Sequence, residues 1–234
     1  MKKFVLMVAM LCTVNAFAGD LNQIGTLAQN QFLKLSTDLG AASAYKGVTP
    51  ATPLGALGFD IGAEITQTSI ENSTILRQAG GGDISNLYVP KIHITKGLPY
   101  GFDIGAFVSR ISSVNGMLIG LEASYAIVED GLTTPAIGVR LSGSRLSGVT
   151  NFKLSTIAVD AMLSKKLTLI TPYIGAGSVR VTSRADIAGL REENFNKSRV
   201  FIGMNVNFLL ANIALEAEKM GDNTSLSAKA GFRF

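Results

Sequence analysis

The amino-acid sequence predicts an all-β protein, an antiparallel transmembrane β-barrel of about ten strands that follows an N-terminal amphipathic helix. Three observations lead to this prediction. After residue 57, apolar and polar side chains alternate with a period of two, which is the repeat of a strand with two different faces. Ten segments show this alternation, and an even number lets an antiparallel barrel close on itself. No helical pattern interrupts them.

The strand boundaries follow from the alternation and from turn formers such as Gly, Pro and Asn between the segments. Most segments reach the roughly nine to eleven residues that a tilted strand needs to cross a bilayer. Segment 168–182 is strand-like, but Pro172 and its mixed faces leave open which face points outward. The predicted strands are 56–68, 86–96, 101–112, 117–128, 134–145, 152–164, 168–182, 198–210, 212–219 and 224–234.

The connections between these strands have unequal lengths. The two long ones, 69–85 and 183–197, fall at the same end of the predicted barrel. Short turns near 98–100, 165–167 and 211 fall at the other end, together with the carboxyl terminus. Short periplasmic turns and longer outer loops are typical of membrane barrels, so the loop lengths agree with the strand count.

The start of the chain predicts a secretory signal peptide at residues 1–18. A short basic start precedes the apolar run Phe4–Leu11, and a small-residue site at 16–18 precedes Gly19. The apolar run is too short to cross a bilayer as a helix. We therefore divide the chain into the signal peptide, an amphipathic helix with a Gly- and Pro-rich lead-in at 19–55, and the barrel at 56–234.

Residues 21–42 predict one amphipathic helix. Apolar side chains such as Ile24, Phe32, Leu35 and Leu39 recur at steps of three and four residues, with polar residues between them. Two placements are open for this helix. It either packs on the periplasmic rim of the barrel or folds into the lumen as a plug.

Charge and composition exclude several classes of function. Removal of Lys2 and Lys3 with the predicted signal peptide lowers the number of basic residues from 21 to 19, against 17 acidic residues. The resulting net charge of +2 is too small to indicate binding to nucleic acid. Cys12 is the only cysteine and leaves with the predicted signal peptide, so we expect neither a disulfide nor a thiolate metal site. A single histidine, His93, excludes multi-histidine metal sites. No metal and no cofactor are expected.

Alternation alone does not say which face points inward, because a soluble exported barrel has the same period with its apolar face inside. In this chain the polar face mixes charges with Gly, Ala and Ser, as a narrow lumen requires, and the apolar face is almost free of charge. A charge on a lipid-facing position costs about 2–4 kcal/mol at the bilayer midplane. The apolar face is therefore predicted to face lipid. Trp is absent, and the interfaces would be marked by Tyr88, Tyr100, Tyr125 and Tyr173.

Projection of the polar faces inward gives a set of predicted lumen-lining residues with both signs of charge. Two interpretations are open: an internal network of salt bridges and water that fills the barrel, or a narrow polar channel whose charges select ions or solutes. A barrel of ten strands is little wider than one that side chains can fill, so diffusion of large solutes is not expected. The set consists of Asp60, Glu64, Lys91, His93, Asp103, Glu122, Arg140, Asp160, Glu216, Glu218, Lys229 and Arg233.

The sequence does not predict an enzyme. A histidine that activates a serine nucleophile needs that serine nearby, and His93 shares its face with Thr95 but with no Ser at a suitable spacing. The glycines at 80–82 lie in a loop and lack a following Lys-Ser or Lys-Thr, so they form no phosphate-binding loop.

The outer loops are another place for function. Their charged residues could contact lipopolysaccharide phosphates or a surface partner, or they could belong to ordinary solvated loops. These residues are Glu71, Arg77, Asp83, Arg184, Asp186, Arg191, Glu192, Glu193 and Lys197.

The last ten residues, 225–234, carry the clearest family signal. Leu226, Phe232 and Phe234 share one face of a strand that ends the chain on an aromatic residue. This resembles the terminal strand of bacterial outer-membrane β-barrel proteins, in particular small barrels with a signal peptide. The resemblance implies that Phe232 and Phe234 are an assembly signal for the barrel-assembly machinery. It also implies the outer membrane of a Gram-negative cell, with outer-membrane lipid and lipopolysaccharide as surroundings. It does not imply an oligomeric state.

Three functions remain open from the sequence. The preferred one is a narrow porin-like channel for ions or small polar solutes, favoured by the mixed charge of the lumen. The alternative is a closed structural or surface-interaction barrel without transport, favoured by the small number of strands and the long outer loops. The third and weaker possibility is a lipid-modifying enzyme of the outer membrane, with His93 as its candidate group.

Overall fold

A computed structural model describes residues 21–111 and 116–234 of the chain. The predicted signal peptide and the last residue of the predicted strand 101–112 lie outside these ranges. The helices and strands of the described residues form a closed antiparallel barrel with a helix inside it.

Ten antiparallel strands form the barrel, and this confirms the predicted fold class. Each strand pairs with its neighbours in sequence, and the first strand closes the barrel on the last with pairs such as Glu64 and Lys229. At the end of this seam the backbone N–H of Phe59 donates to the carbonyl of Phe234 at 2.6 Å. The strands are β1 Phe59–Ser69, β2 Asn86–Gly97, β3 Phe102–Ile111, β4 Gly116–Val128, β5 Ala136–Ser147, β6 Phe152–Ser164, β7 Ile170–Ala185, β8 Glu193–Phe208, β9 Ala211–Met220 and β10 Asn223–Arg233.

The two ends of the barrel differ. The loop end carries the connection 70–85 with a short helix, α2 (Ser73–Gln78), which the sequence did not predict. The C-terminal end carries Phe234 and the short turns. The predicted long connection 183–197 is wrong in extent, because β7 and β8 each run for 16 residues and leave only 186–192 between them.

The exterior of the barrel is an apolar band. Outward side chains such as Leu121, Ile157 and Ile202 are 69%, 60% and 61% exposed, a degree of exposure that is unfavourable in water for so many large apolar groups. The inward positions between them hold small, polar or charged residues. The apolar face of the sheet therefore points outward, as expected for a barrel in lipid.

Toward the loop end, the inward face of the sheet becomes apolar and the outward face becomes polar. Inward and outward positions still alternate along each strand. On β7, Val179 and Val181 point inward and are buried, whereas Arg180 and Thr182 point outward and are at least partly exposed. This end of the barrel has the pattern of a soluble barrel, with an apolar interior and a polar exterior. The exchange explains the mixed faces of segment 168–182.

The N-terminal region does not form one continuous helix. A 3-10 turn at Ile24–Thr26 precedes helix α1, which spans Gln29–Ser43. The side chain of Gln31 caps the start of this helix by accepting a hydrogen bond from the Ala28 N–H at 2.9 Å. Within residues 21–111 and 116–234, none of the helices has the length and apolar character to cross a membrane.

Helix α1 lies inside the barrel, so its placement on the periplasmic rim is wrong and the plug placement is correct. The helix contacts β1 and β10 on one side of the barrel and β5, β6 and β7 on the opposite side. Its apolar residues Phe32, Leu35 and Leu39 are buried in one cluster with the inward apolar residues of the loop end. The interior of the loop end thus offers the apolar surface that an amphipathic helix needs.

Candidate functional site

The candidate site is the barrel lumen together with the segment that fills it. We call residues 21–58 the plug segment; it consists of the 3-10 turn, helix α1 and an extended strap, residues 44–58, that leads into β1. The plug segment begins at the loop end, where the Gln23 N–H donates to the Ala79 carbonyl at 3.0 Å, and it ends at the start of β1. Its contacts with the wall follow the lumen from one end to the other.

Helix α1 is held by packing in the apolar half of the lumen. The ring of Phe32 meets the ring of Phe152 edge-on, with centroids 6.2 Å apart. Gly40 faces Val181 so closely that a Cβ at this position would lie 2.9 Å from a Val181 methyl group. The helix can therefore approach β7 only because this position has no side chain.

Two polar contacts fix the rotation of the helix. The Ser183 hydroxyl bonds the Ser36 hydroxyl at 2.6 Å, and both are buried. The buried Asp38 carboxylate accepts from the Asn72 backbone N–H at 2.8 Å and from the Asn223 side chain at 2.8 Å. The helix is thereby attached to β7, to β10 and to the long connection of the loop end.

The C-terminal end of helix α1 points at buried cations in the middle of the lumen. The Lys46 ammonium donates to the Ala41 carbonyl at 2.7 Å and lies 3.3 Å from a Glu218 carboxylate oxygen. Arg199 donates to the Tyr45 carbonyl at 2.7 Å and forms an ion pair with Asp160. The last carbonyls of a helix carry partial negative charge, so cations at this position stabilise the helix end.

Arg140 holds the next part of the strap. Its guanidinium donates to the Thr49 carbonyl at 3.0 Å and lies 3.2 Å from a Glu122 carboxylate oxygen. The guanidinium passes directly over Gly47, where a Cβ would lie 2.5 Å from it. Gly47 is therefore the residue that lets the strap and the arginine occupy the same level of the lumen.

The strap reaches the C-terminal end of the barrel through three further contacts. The Thr52 and Ser164 hydroxyls are 3.0 Å apart, and the Leu54 N–H donates to the Asp103 carboxylate at 3.1 Å. The Lys96 ammonium then donates to the Ala56 carbonyl at 2.7 Å. Wall groups thus bind the plug segment along the whole length of the lumen.

The structure places all twelve predicted lumen-lining residues on the inner face of the barrel. Eleven of them are buried, and Arg233 is partly exposed. Each acidic member has a partner: Asp60 with Lys229 and Arg233, Glu64 with Lys91 and His93, Asp103 with the Leu54 N–H, Glu122 with Arg140, Asp160 with Arg199, Glu216 with Tyr173, and Glu218 with Arg199 and Lys46.

The cluster around Glu64 is the tightest of these groups. Its carboxylate lies 2.5 Å from the Lys91 ammonium and 3.0 Å from the His93 Nε2 atom, and it accepts from the Thr66 hydroxyl at 2.6 Å. The His93 ring stacks on Phe107 with centroids 5.3 Å apart. Among the described residues, no hydroxyl group forms a hydrogen bond with His93, and no group of three or more His, Cys, Asp or Glu residues is placed to hold a metal ion.

Three functional residues escaped the sequence-based prediction. Arg199 lies in phase with Gly203 and Asn205 on the inner face, so the alternation contained the signal for it. Lys46 lies in the strap, which has no repeat, and carried no such signal. Tyr173 was expected at a membrane interface, and this is wrong: it is buried in the lumen and donates to Glu216 at 3.0 Å, because Pro172 takes the outward position.

Several buried polar atoms of the lumen wall have no hydrogen-bond partner among the described residues. Along β2, β3 and β5, the buried polar atoms His93 Nδ1, Thr95 Oγ1, Ser109 Oγ and Ser142 Oγ have no hydrogen-bond partner among the described residues. Buried polar groups normally bind protein or ordered water.

The lipid-facing exterior has a shallow apolar groove of about 980 Å³ across β1, β2 and β6 to β10. Its walls are mostly aliphatic and offer few polar groups, as expected for a surface that contacts acyl chains. The lining includes Ile65, Ile174, Ile202, Met204, Leu215 and Leu226.

The predicted assembly signal lies at the C-terminal end of the barrel. Phe232 and Phe234 are both exposed, and the Phe234 ring lies 5.6 Å from that of Phe59 across the closing seam. The two rings are accessible from outside the folded barrel.

The closed ten-stranded sheet, with its apolar exterior and charged interior, defines a transmembrane β-barrel of the outer-membrane type. No protein-family model matches this chain, and no curated protein shows significant similarity to its sequence.

Several solved structures share the general shape of the barrel. They include the KdgM porin in complex with disordered oligogalacturonate, at 8% identity over 75% of this chain and 99% of that chain, with a TM-score of 0.40. The outer membrane protein OprG from Pseudomonas aeruginosa has 7% identity over 80% and 99%, with a TM-score of 0.38. The N-terminal β-barrel domain of Pseudomonas aeruginosa OprF has 12% identity over 77% and 99%, with a TM-score of 0.36. At these values the likeness carries no argument about function.

Proposed function

We propose that this protein is an outer-membrane β-barrel whose lumen is closed by its own amino-terminal segment, and that it acts through its outer surface rather than as an open pore. One observation carries the proposal: the plug segment follows the lumen from the loop end to the C-terminal end, with hydrogen bonds to the wall at every level. A path that is filled by the chain itself has no room for steady diffusion of solutes. This favours the closed barrel over the porin-like channel.

The outer-membrane location is supported by the apolar band around the barrel and by the polar exterior of its loop end. In this orientation the connection 70–85 and the start of the plug segment face the outside of the cell, and Phe234 faces the periplasm. The exposed aromatic rings of Phe232 and Phe234 at that end suit recognition by the barrel-assembly machinery.

A catalytic function is not part of this proposal. His93 is buried against Phe107 and Glu64 in the middle of the lumen, away from lipid and from both openings of the barrel. A lipid-modifying enzyme needs its reactive group within reach of the lipid substrate.

Planar-bilayer recording on the purified, full-length protein tests the closed state. The same sample should first show heat modifiability on a gel, which establishes that the barrel is folded. We expect no sustained conductance steps from the folded protein. Long-lived steps of uniform size would overturn the proposal, and loss of heat modifiability would instead challenge the barrel fold.

A narrow channel is the second candidate, and the buried charges of both signs on the inner wall favour it. If the plug segment moves away, Arg140, which donates to the Thr49 carbonyl of the strap, lines the path. Under this candidate Arg140→Glu exchanges a buried cation for an anion and shifts the reversal potential toward cations. An unchanged reversal potential in a conducting barrel would remove Arg140 from the path.

A further inference from the structure

Four cations form a patch on the outside of the barrel at its loop end. Arg145 on β5, Lys153 on β6, and Arg180 and Arg184 on β7 all point outward and are exposed. We call these four residues the basic patch. They come from three consecutive strands, so they form one continuous surface.

The basic patch lies directly on the edge of the apolar band. Arg180 is the register partner of Ile157, and Arg145 is the register partner of Ile119, and both isoleucines belong to the exposed apolar exterior. Beyond Arg180 toward the loop end, the outward residues are polar. The patch therefore stands at the level where acyl chains end and lipid headgroups begin.

The basic patch is only partly neutralised by the protein. Asp186 lies 2.6 Å from the Lys153 ammonium and 3.0 Å from the Arg184 Nε atom, and the hydrogen bond from Lys153 holds the pKa of the Asp186 carboxyl below its usual value. Arg180 donates to the neutral Asn194 side chain at 2.8 Å. Asp186 thus contacts two of the four cations, Lys153 and Arg184.

The register increases the need for a further anion. Lys153 and Arg184 are direct partners across β6 and β7, and like charges in this position destabilise a sheet. The basic patch ends at β8, where the uncharged Asn196 is the register partner of Arg180, and the outward Thr224 of β10 is also uncharged. On the other described strands, the outward cations at this end are Arg110 on β3 and Lys219 on β9, one on each strand.

We propose that the basic patch binds the phosphates of a bisphosphorylated glycolipid of the lipid A type in the outer leaflet, an inference that rests on the proposed outer-membrane location. A ligand at this level must combine acyl chains with anionic groups. Arg145 and the arginines of β7 are two strand spacings apart, roughly 10 Å, which suits a headgroup with two separated phosphates better than a phospholipid with one. Arginine forms bidentate hydrogen bonds with phosphate oxygens.

A titration in zwitterionic detergent micelles tests this proposal. The folded protein is titrated with bisphosphorylated lipid A, with its monophosphorylated form and with phosphatidylglycerol. We expect the bisphosphorylated lipid to bind about tenfold tighter than either lipid with one phosphate, the effect of one additional charge-assisted contact. Equal affinity for lipid A and phosphatidylglycerol would overturn the proposal, because it would indicate attraction to any anionic lipid.

Three variants locate the binding site. The double variant Arg145→Gln/Arg180→Gln should weaken lipid A binding by about tenfold or more, since it removes the two cations that Asp186 does not contact. Asp186→Asn should strengthen binding, because it frees Lys153 and Arg184 for the ligand. Lys166→Gln also replaces an exposed cation by glutamine, but at the C-terminal end of the barrel, and should leave binding unchanged. Equal effects of the double variant and Lys166→Gln would contradict the assignment.

Failure of this inference is distinguishable from failure of the proposed function. If the protein is heat-modifiable and does not conduct but also does not bind lipid A, only the assignment of lipid A binding to the basic patch is refuted. A conducting barrel that still binds lipid A through these residues would refute the closed state and leave the patch in place.

Discussion

The two halves of the lumen hold the plug segment by different physical means. At the loop end, Val181 and Phe152 point inward and pack against helix α1 as in the core of a soluble protein. In the middle and toward the C-terminal end, wall cations such as Arg199 and Arg140 bind the carbonyls of the strap. The helix is therefore held by apolar burial, and the strap by desolvated charges. The two halves should respond differently to substitution.

The largest effect is expected in the charged half, for Arg199→Ala. This change leaves the Asp160 and Glu218 carboxylates in the lumen without the guanidinium they share, and loss of one partner of a buried ion pair costs about 3–5 kcal/mol. Urea unfolding of the protein in lipid vesicles measures the loss. Arg110→Ala, at an exposed position of β3, is the matched control and should cost less than about 0.5 kcal/mol. Similar losses for both variants would mean that the network contributes nothing.

A somewhat smaller loss is expected in the apolar half, for Leu39→Ala. Leu39 is buried in the cluster between helix and wall, and truncation of a buried leucine costs about 2–5 kcal/mol. Leu33 lies on the same helix but is 37% exposed, so Leu33→Ala serves as the control with a clearly smaller loss. If helix α1 did not pack against the wall, the two variants would unfold at the same urea concentration.

The smallest effect concerns the hydroxyl pair that links the helix to β7. Ser183→Ala or Ser36→Ala alone leaves the other hydroxyl buried without its partner and should cost about 1–3 kcal/mol. The double variant removes both hydroxyls and should cost less than the sum of the single changes. A double-mutant cycle in the same unfolding assay measures this coupling. Strict additivity would show that the two side chains do not touch.

The sequence pattern predicts most of the barrel strands, but it does not predict how the plug segment packs inside the lumen. Where lipid covers the wall, the outward face must be apolar, so the alternation predicted strands such as β6, 152–164, at their observed bounds. Beyond the apolar band the outward face is polar and the inward face apolar. The alternation was therefore harder to recognise there, and the prediction ended β7 too early and began β8 too late. The strap around Lys46 has no repeat, and its position depends on groups from distant strands. The sequence also left the placement of helix α1 open, because an amphipathic helix can pack against any apolar surface.

The residues of the lumen differ in whether the sequence pattern could have predicted them. Arg199 shares the phase of its strand and could have been included with the predicted inward set. Tyr173 could not, since Pro172 obscured which face of its strand was apolar. The pairing of each charge, such as Arg140 with Glu122, depends on the register between strands, which alternation within one strand does not determine.

Disulfide formation between helix and wall tests most directly whether the plug segment occupies the lumen. The Ser36 and Ser183 hydroxyl oxygens are 2.6 Å apart, so the variant Ser36→Cys/Ser183→Cys should form a disulfide in isolated membranes under mild oxidation. In the control Ser36→Cys/Ser178→Cys the second cysteine is on the same strand but points outward. Cys12 lies in the predicted signal peptide, so each exported variant should contain only its two introduced cysteines. We expect a reducible mobility shift for the first pair only. Absence of the shift in a folded, heat-modifiable barrel, or equal shifts for both pairs, would contradict a helix inside the lumen.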